Sequence, residues 1–357
     1  MKIGLVRRGF SASGGAEAYL RRFADAAAGA GHECVLFTGS EWPDSAWPHE
    51  MQRVAGRSPL AFADELRAYE PRRFCDLLFS LERVGSCDVY RAGDGVHASW
   101  LRRRKAFEPA WKLWFRRFSW KHREILQLER HLFGPGGARL VIANSRLVQR
   151  EIETEFAYPP EQIRVIYNGL PAFTTAPDAR VEVRNQLGLS EDEYVLLFAG
   201  SGWERKGLRY AIDAVERSGK RPTLLVAGRG RTRGLPGSDR VRFLGPVGDL
   251  PRYLAAADAF LLPTMYEPFS NACLEAAAAG LPVITTVHNG FAEVLEPGVN
   301  GEAVSDPRDI EALARAIDAW ADPVRRAAVR PQLQALGASH SIERNLQETL
   351  SALSEIS

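Results

Sequence analysis

The chain has 357 residues, of which 45% are hydrophobic and 25% charged, and its 46 basic and 44 acidic residues give a net charge of +2. This length predicts two domains, and the composition is that of an ordinary globular protein. Its 4 cysteines are scattered without C-x-x-C spacing, which argues against a disulfide framework or a zinc site. There is no signal peptide and no apolar run long enough for a spanning helix, so we expect a cytoplasmic protein.

The first half of the chain reads as alternating strands and helices. An apolar run at residues 2–8, a glycine-containing loop and a helix to about Ala30 follow the order of half a mononucleotide-binding fold. Gly14 and Gly15 in that loop would let the backbone approach a phosphate or a sugar, although a tight turn without a ligand is an equal alternative. Further strands are predicted at residues 31–40, 75–79, 88–92, 139–144 and 162–168, with a helix at 61–69.

The strand at residues 88–92 leads into a turn that carries Asp94 and His97. An acidic residue at the carboxyl end of a parallel strand lies where open α/β sheets bind ligands. Asp94 is therefore a candidate for a reaction centre, with His97 a less certain neighbour. The alternative is ordinary turn chemistry, since Asp94 is flanked by glycines.

Residues 100–131, called the basic aromatic segment below, carry ten basic and three acidic side chains, a net charge of +7. Tryptophans and phenylalanines are interleaved with these charges. Such a mixture suits an anionic membrane surface or a phosphorylated glycolipid, and it could also bind nucleic acid. The alternative is a helix whose aromatic face lies in the core and whose charges are solvated.

The second half of the chain contains a second series of alternating strands and helices. Residues 171–190 show little periodicity and are predicted to be a linker, with the domain boundary near Leu170. Arg205 and Lys206 lie in the loop after the next strand, where both could point at a diphosphate. Repeated strand-then-helix order predicts a parallel sheet with right-handed crossovers. The predicted strands are at residues 194–200, 223–228, 241–245 and 258–263, and the tail is predicted helical at 309–320 and 341–356.

A loop and the helix after it bring Glu267 and Glu275 into one region, with seven residues between them. Ser270 is a plausible N-cap, so we expect the helix to begin near Asn271 with Glu275 about one turn inside it. The amides of Phe269, Ser270 and Asn271, together with the helix dipole, suit a phosphate. A carboxylate one turn along suits a ribose or sugar hydroxyl. For an isolated pair of glutamates, a solvated surface turn would be the better interpretation.

The order of these motifs resembles glycosyltransferase family 4, whose members are retaining enzymes of the GT-B architecture, with two Rossmann-like domains facing a cleft. The resemblance is carried by Gly14-Gly15, Asn144-Ser145, Asn168-Gly169, Gly200-Ser201, Arg205-Lys206-Gly207, Gly228, Glu267 to Glu275 and Gly280. Within the family, residues 88–97 and the basic aromatic segment are similar to bacterial lipopolysaccharide-core glucosyltransferases.

The resemblance implies an α/β fold with a doubly wound parallel sheet in each domain. The implied domains are an acceptor-binding domain at residues 1–170, a nucleotide-sugar-binding domain at 171–340 and a C-terminal helix at 341–357 that packs back on the first domain.

The resemblance also implies a role for each candidate residue. Arg205 and Lys206 would bind the donor diphosphate, and Glu275 the ribose. Asp94 and Glu267 would lie at the reaction centre, with His97 a contact of the acceptor or sugar. Ser270 departs from the common family form, which has glycine there. The residues implied in donor binding are Gly14, Gly15, Arg205, Lys206, Gly228, Arg229, Phe269, Ser270, Asn271 and Glu275.

The activity implied is transfer of a hexose, with retention, from a nucleotide sugar to a glycan or glycolipid such as lipopolysaccharide core. UDP-glucose is the first expected donor, and GDP-mannose or another nucleotide sugar in polysaccharide synthesis is the alternative. No cofactor or metal is expected, because no D-x-D motif occurs and two cations with helix amides can stabilise the leaving group. A GT-B epimerase or phosphorylase is a lesser rival.

Two expectations concern the surroundings of the protein. The basic aromatic segment predicts a peripheral contact with the inner face of the cytoplasmic membrane. The non-enzyme alternative is a membrane-surface or nucleic-acid module that uses this segment, but nucleic acid is not expected because such a module would not need the phosphate motifs of the second half.

Overall fold

The structure is a computed structural model that describes residues 1–11, 15–108, 119–172 and 174–356. The chain forms two compact units. The first comprises Met1–Tyr167 together with Glu343–Ser357, and the second comprises Asn168–Ile342. The division therefore falls at Tyr167, close to the expected boundary near Leu170.

The first unit contains a seven-stranded parallel sheet in the order β3-β2-β1-β4-β5-β6-β7. Its central strands are apolar on both faces, as expected for a sheet covered by helices on both sides. The strands are β1 (Lys2–Val6), β2 (Glu33–Thr38), β3 (Glu50–Arg53), β4 (Leu77–Ser80), β5 (Cys87–Ala92), β6 (Ala138–Ala143) and β7 (Ile163–Val165). The helices are α1 (Gly15–Gly29), α2 (Pro59–Tyr69), α3 (His97–Lys105), α4 (Trp120–Leu132) and α5 (Arg146–Phe156).

The second unit contains a six-stranded parallel sheet in the order β10-β9-β8-β11-β12-β13. The strands are β8 (Val195–Ala199), β9 (Thr223–Ala227), β10 (Val241–Gly245), β11 (Ala259–Leu261), β12 (Val283–Thr286) and β13 (Gly301–Val304). The helices are α6 (Ala179–Leu187), α7 (Leu208–Arg217), α8 (Leu250–Ala256), α9 (Asn271–Ala278), α10 (Ile310–Ala319) and α11 (Pro323–Ser339).

The last helix, α12 (Ile342–Ser354), packs with the first unit from Glu343 onward. Thr349 lies 3.3 Å from the Tyr19 hydroxyl of α1, and Asn345 Nδ2 donates to the Tyr167 carbonyl at 2.6 Å. These contacts attach the C-terminal segment to the first unit.

Both sheets have the strand order of a Rossmann fold, so the predicted architecture of two doubly wound parallel sheets is confirmed. The order reverses between β1 and β4 in the first sheet and between β8 and β11 in the second. In open α/β sheets, ligands bind outside the carboxyl ends of the strands at this point. The loops that follow β8 and β11 are therefore where a ligand is expected in the second unit.

The linker prediction for residues 171–190 is wrong over α6. The buried face of this helix includes Arg184, which is 0% exposed and donates to Asp258 Oδ2 at 2.8 Å. A charged residue at a core position hides the apolar period. Two further elements have no clear sequence signal: β3, which reads EMQR, and α11, which contains Pro331 in its interior.

The basic aromatic segment is described in part, because residues 109–118 lie outside the described residues. Arg102 and Arg103 pair with Glu155 and Glu151 of α5 at 2.5 and 3.2 Å, so part of the segment's charge is neutralised within the first unit. Trp120 at the start of α4 is 75% exposed. In the part of the chain that the structure describes, no helix is long and apolar enough to cross a membrane.

Candidate active site

Two cationic side chains and one carboxylate meet at the carboxyl edge of the second sheet. Arg205 and Lys206 lie after β8 and Glu267 lies after β11, on either side of the point where the strand order reverses. Lys206 Nζ donates to Glu267 Oε2 at 2.6 Å, and Arg205 Nη1 donates to the same oxygen at 3.0 Å. The Lys206 and Glu267 side chains are each 12% exposed, and that of Arg205 is 32% exposed. Because one carboxylate faces two cations, the group retains a positive charge that suits an anionic ligand.

Backbone contacts between the two loops hold this group in place. The Arg205 carbonyl accepts the Met265 amide at 2.9 Å and the Thr264 hydroxyl at 3.0 Å. Gly207 makes the close approach possible, since its φ is +77° and a Cβ there would lie 1.9 Å from the carbonyl oxygen of Pro263. A glycine at this position is therefore required by both conformation and space.

Helix α9 begins beside this group, as predicted. Ser270 is the N-cap, and its Oγ accepts the Cys273 amide at 3.2 Å. The amide of Ser270 donates to Asn289 Oδ1 at 3.2 Å, and the residue is 2% exposed. The expectation that this amide serves a phosphate is therefore not met in this structure, because its donor is already used by Asn289. Asn271, which opens the helix, is exposed, and its Oδ1 accepts from Asn168 Nδ2 at 2.8 Å.

Asn289 is a site residue that no sequence pattern predicts. Its side chain is buried, and its Oδ1 accepts the amides of Ser270 and Phe291 at 3.2 and 3.1 Å. The ring of Phe291 packs against Phe269 at 5.8 Å, and Phe269 is 4% exposed. The Glu267 amide donates at 2.9 Å to the carbonyl of His288, the residue immediately before Asn289. In sequence, the Asn-Gly pair at this point signals only a turn.

Glu275 lines a cavity of about 360 Å³. Burial raises the pKa of its carboxyl to about 7. In the described residues, Arg205 and Lys206 are paired with Glu267 rather than with Glu275. The other residues that line the cavity are Leu170, Pro171, Ala172, Thr174, Gly248, Leu250 and Pro251. A half-buried carboxyl over a small cavity suits recognition of hydroxyl groups.

The residues predicted to line a base pocket follow β9 at the same edge. Gly228 has φ +124°, and a Cβ there would lie 2.2 Å from the carbonyl oxygen of Gly200. Arg229 is exposed, and its amide donates to Ser201 Oγ at 3.4 Å. Trp203, which is 6% exposed, donates from Nε1 to the Gly200 carbonyl at 3.0 Å. The loops after β8 and β9 are thus packed on each other.

In the first unit, Asp94 is exposed in the turn after β5. The turn and α3 are held by Glu129 of α4, which is 0% exposed and accepts the His97 amide at 2.6 Å and the following amide at 3.1 Å. Arg83 donates to Glu129 Oε1 at 3.0 Å and to the Gly95 carbonyl at 2.7 Å. Neither Arg83 nor Glu129 is predicted from sequence, and both act on the turn that carries Asp94.

His97 forms a pair with His122 of α4. His97 Nε2 lies 3.0 Å from His122 Nδ1, and one ring must carry the proton between them. Burial, assisted by Arg83 and His122, lowers the pKa of His97 to about 3. His97 is therefore neutral at physiological pH and can serve as a hydrogen-bonding group rather than as a cation.

Of the two glycines predicted near the donor, Gly14 lies outside the described residues. Gly15 is the first residue of α1 and is exposed. Within the part of the chain that is described, no three His, Cys, Asp or Glu residues are grouped closely enough to hold a metal ion.

Two family models match the chain. One, described as Glycosyltransferase Family 4, covers residues 13–172, and the other, described as Glycosyl transferases group 1, covers residues 193–322. The probable transglycosylase of Burkholderia thailandensis is 30% identical in an alignment that covers 92% of this chain and 89% of that protein. The lipopolysaccharide glucosyltransferase WaaG of Escherichia coli K12 is 25% identical in an alignment that covers 90% of this chain and 93% of that protein.

Solved structures show the same fold. The crystal structure of WaaG matches with a TM-score of 0.78 at 21% identity and covers 98% of both chains. The structure of HepE from Anabaena in complex with UDP and glucose matches with a TM-score of 0.75 at 22% identity, over 99% of this chain and 100% of that one. The fold is GT-B, and the protein is a glycosyltransferase. The chain belongs to glycosyltransferase family 4.

Proposed function

We propose that the protein transfers a hexose from a nucleoside diphosphate sugar to a hydroxyl group of a glycan or glycolipid, with retention of anomeric configuration. The observation that carries the proposal is the contact of Arg205 and Lys206 with Glu267 at the switch point of the second sheet. A diphosphate is the ligand that this charge and position suit best.

The role proposed for Arg205 and Lys206 is to stabilise the departing diphosphate. As the bond from the sugar to the diphosphate breaks, negative charge grows on the phosphate oxygens. Lys206 is mostly buried, so its charge is poorly screened and stabilises that oxygen more than an exposed lysine would. Arg205 offers further donors from the same loop, and this cationic pair can take the role that a metal has in other enzymes.

Glu267 orients the two cations and lies beside the proposed sugar position. Its carboxylate is shared by both side chains, which makes it a poor candidate for a free nucleophile. We therefore assign it to positioning and electrostatics. Asp94 in the first unit is the proposed second group at the reaction centre, because it is exposed in a turn that Arg83 and Glu129 hold by hydrogen bonds.

UDP-glucose is the first proposed donor and lipopolysaccharide core the first proposed acceptor. Two findings support this choice: a relative that matches along 90% of the chain is named a lipopolysaccharide glucosyltransferase, and a structural neighbour is described in complex with UDP and glucose. The proposed place of action is the inner face of the cytoplasmic membrane, where the basic aromatic segment would give a peripheral contact.

The test is an assay of the purified full chain with UDP-glucose, UDP-galactose and GDP-mannose, each with a lipopolysaccharide-core oligosaccharide. We expect release of one nucleoside diphosphate, a product whose new linkage keeps the donor's anomeric configuration by NMR, and activity that survives a metal chelator. Turnover with GDP-mannose alone would replace the proposed donor. Inverted configuration would contradict retention, and no stabilisation or turnover with any nucleotide sugar would contradict the proposal as a whole.

A further inference from the structure

A cavity of about 1110 Å³ lies in the first unit at the amino edge of the sheet, where β4, β5 and β6 begin. This is the edge opposite the loops that carry Asp94 and His97. Its volume is slightly above the usual range for small-molecule sites, about 300 to 1,000 Å³. Four arginines and two carboxylates line it: Arg67, Arg72, Arg73, Arg139, Glu70 and Asp88.

Asp88 is the centre of the charged wall. It is 6% exposed, and its Oδ2 accepts the Leu78 amide at 2.8 Å. Its Oδ1 accepts from both Arg72 Nη2 at 3.0 Å and Arg139 Nη1 at 3.2 Å. One carboxylate therefore holds two guanidinium groups side by side and neutralises only one of their charges. Each guanidinium has five donors, and the shared contact with Asp88 uses one nitrogen of each.

The other two arginines are neutralised at the rim. Arg73 pairs with Glu70, and Arg67 pairs with Asp64 at 3.6 Å. The excess positive charge of the cavity is therefore concentrated at Arg72 and Arg139, whose side chains are 50% and 58% exposed.

The second unit contains an aspartate, Asp258, whose position corresponds to that of Asp88. Asp258 also lies at the amino edge of its sheet, and its Oδ2 accepts the Val195 amide at 2.8 Å, as Asp88 does with the neighbouring strand. Asp258 pairs with Arg180, Arg184 and Arg326, and the buried Arg184 donates its other N–H groups to backbone carbonyls, among them those of Ala256 and Ser190. Arg184 is therefore a structural residue whose donors are used within the fold. At Asp88 the corresponding donors face a cavity instead.

The rest of the cavity wall is apolar and includes Leu66, Leu78, Val84 and Ala138. An anion that uses the site would therefore present a charged head to the arginines and an apolar body to this wall. Two guanidinium groups on one carboxylate oxygen lie close enough together to bind the same phosphate.

We propose that this cavity is a second ligand site, separate from the donor site, which binds a phosphate monoester with an apolar or aromatic body through Arg72 and Arg139. The site does not depend on the proposed donor or acceptor, because all its residues lie in the first unit at the amino edge of the sheet.

The test uses phenyl phosphate as the probe and benzyl alcohol as its uncharged counterpart, with calorimetric titration of the full chain. We expect saturable 1:1 binding of phenyl phosphate that weakens with salt, and no binding of benzyl alcohol at the same concentrations. Arg139→Gln should weaken binding about tenfold, because a charge-assisted hydrogen bond is lost, and Arg139→Lys should weaken it less. Arg164→Gln is the matched control, since Arg164 lies on the next strand and pairs with Glu355 outside the cavity.

A measurement on the wild-type chain makes the test independent of how the variants fold. Phenyl phosphate should shift the amide NMR signals of Leu78 and Ala138, and excess UDP-glucose should leave those shifts unchanged. Absence of saturable binding, equal binding by wild type and Arg139→Gln, or displacement by UDP-glucose would each overturn the second site.

Discussion

Lys206 shows how much of a site's charge can rest on a single mostly buried side chain. It donates to Glu267 at 2.6 Å and is less exposed than Arg205, which shares the same carboxylate oxygen. Removing Lys206 leaves Arg205 and Glu267 as an approximately neutral pair. The charge available to a leaving diphosphate then falls without a large change in packing.

We predict that Lys206→Ala lowers kcat by about 100-fold, the usual effect of removing one group that stabilises developing negative charge. Lys206→Arg should retain part of the activity. The measurement is nucleoside diphosphate release at saturating donor, with Lys220→Ala, an exposed lysine of the same unit, as the control. Near-normal turnover of Lys206→Ala would remove this residue from the proposed site.

Glu275 gives a pH dependence with a definite sign. Its carboxyl has a pKa of about 7 because of burial. If the ionised carboxylate accepts hydrogen bonds from ribose hydroxyls, donor binding favours ionisation and lowers that pKa. The affinity for UDP-glucose should therefore rise as pH increases, by about tenfold between pH 6 and pH 8. UDP-glucose suits the measurement because its diphosphate does not titrate in this range.

The matched variant is Glu275→Gln, which keeps the shape of the side chain but cannot ionise. Calorimetric titration should show weaker UDP-glucose binding at pH 8 and a flat profile. A wild-type profile that is equally flat, or affinity that falls as pH rises, would show that Glu275 does not bind the ribose as a carboxylate.

At the scale of elements, Gly207 joins the loops after β8 and β11. Its φ of +77° and the 1.9 Å approach to the Pro263 carbonyl both exclude a side chain. Gly202 lies in the same loop with φ +76°, yet a Cβ there would meet no atom within 4 Å. Substituting alanine at each of these two glycines therefore distinguishes the cost of backbone strain from the cost of a steric clash.

We predict that Gly202→Ala costs about 1 kcal/mol of unfolding free energy through backbone strain alone. Gly207→Ala should cost roughly 2 kcal/mol more, because the loops must also move apart. Urea unfolding of the two variants gives the comparison. Equal costs would mean that the approach of Gly207 to Pro263 does not constrain the fold.

Glu129 links α4 to the turn that carries Asp94. It is 0% exposed, caps α3 through the His97 amide and binds Arg83. We predict that Glu129→Gln, which weakens these contacts without removing the side chain, lowers kcat about tenfold while the KM for the donor stays unchanged. Steady-state kinetics check this, with Glu124→Gln on the same helix as the control. A rise in donor KM with kcat intact would contradict a role in positioning Asp94.

The elements that sequence predicts well are those with an uninterrupted apolar signal. Strands β8 and β9 read as continuous apolar runs, and α9 begins at Asn271 with its Ser270 cap as expected. Helix α6 is missed because Arg184 occupies a core position, where its charge is satisfied by Asp258 and by the carbonyl of Ala256, both more than 70 residues along the chain. Such a residue is indistinguishable from a surface arginine until its partners are known.

At the scale of the whole molecule, the candidate site also contains residues whose roles cannot be recognised from the local sequence. The cationic pair and the two glutamates stand out in the sequence because their types and spacing match phosphate and hydroxyl chemistry. Asn289, Arg83 and Glu129 do not, because each acts through contacts with backbone groups that are 12 or more residues distant in the sequence. Local patterns identify the groups that touch a ligand better than the groups that hold them.

The basic aromatic segment contains exposed side chains that suit contact between the protein and a membrane surface. Arg102 and Arg103 are neutralised by glutamates of α5, whereas Lys121 and Arg123 on α4 are exposed beside Trp120, which is itself 75% exposed. The guanidinium of Arg123 lies 5.2 Å from the Trp120 ring. An exposed aromatic ring with exposed cations close to it is typical of a surface that contacts anionic lipid.

We predict that the protein binds vesicles of equal parts phosphatidylglycerol and phosphatidylcholine, and that binding is lost at about 0.5 M salt, where charges are screened beyond a few ångströms. Reversing two charges with Lys121→Glu and Arg123→Glu should greatly weaken binding, since each basic residue near an anionic surface contributes about 1 kcal/mol. Co-sedimentation measures this, with Arg21→Glu and Arg22→Glu on the exposed side of α1 as the control. Equal binding to pure phosphatidylcholine, or equal loss in the control, would show that this surface does not recognise anionic lipid, because an electrostatic contact must depend on both the lipid charge and the position of the cations.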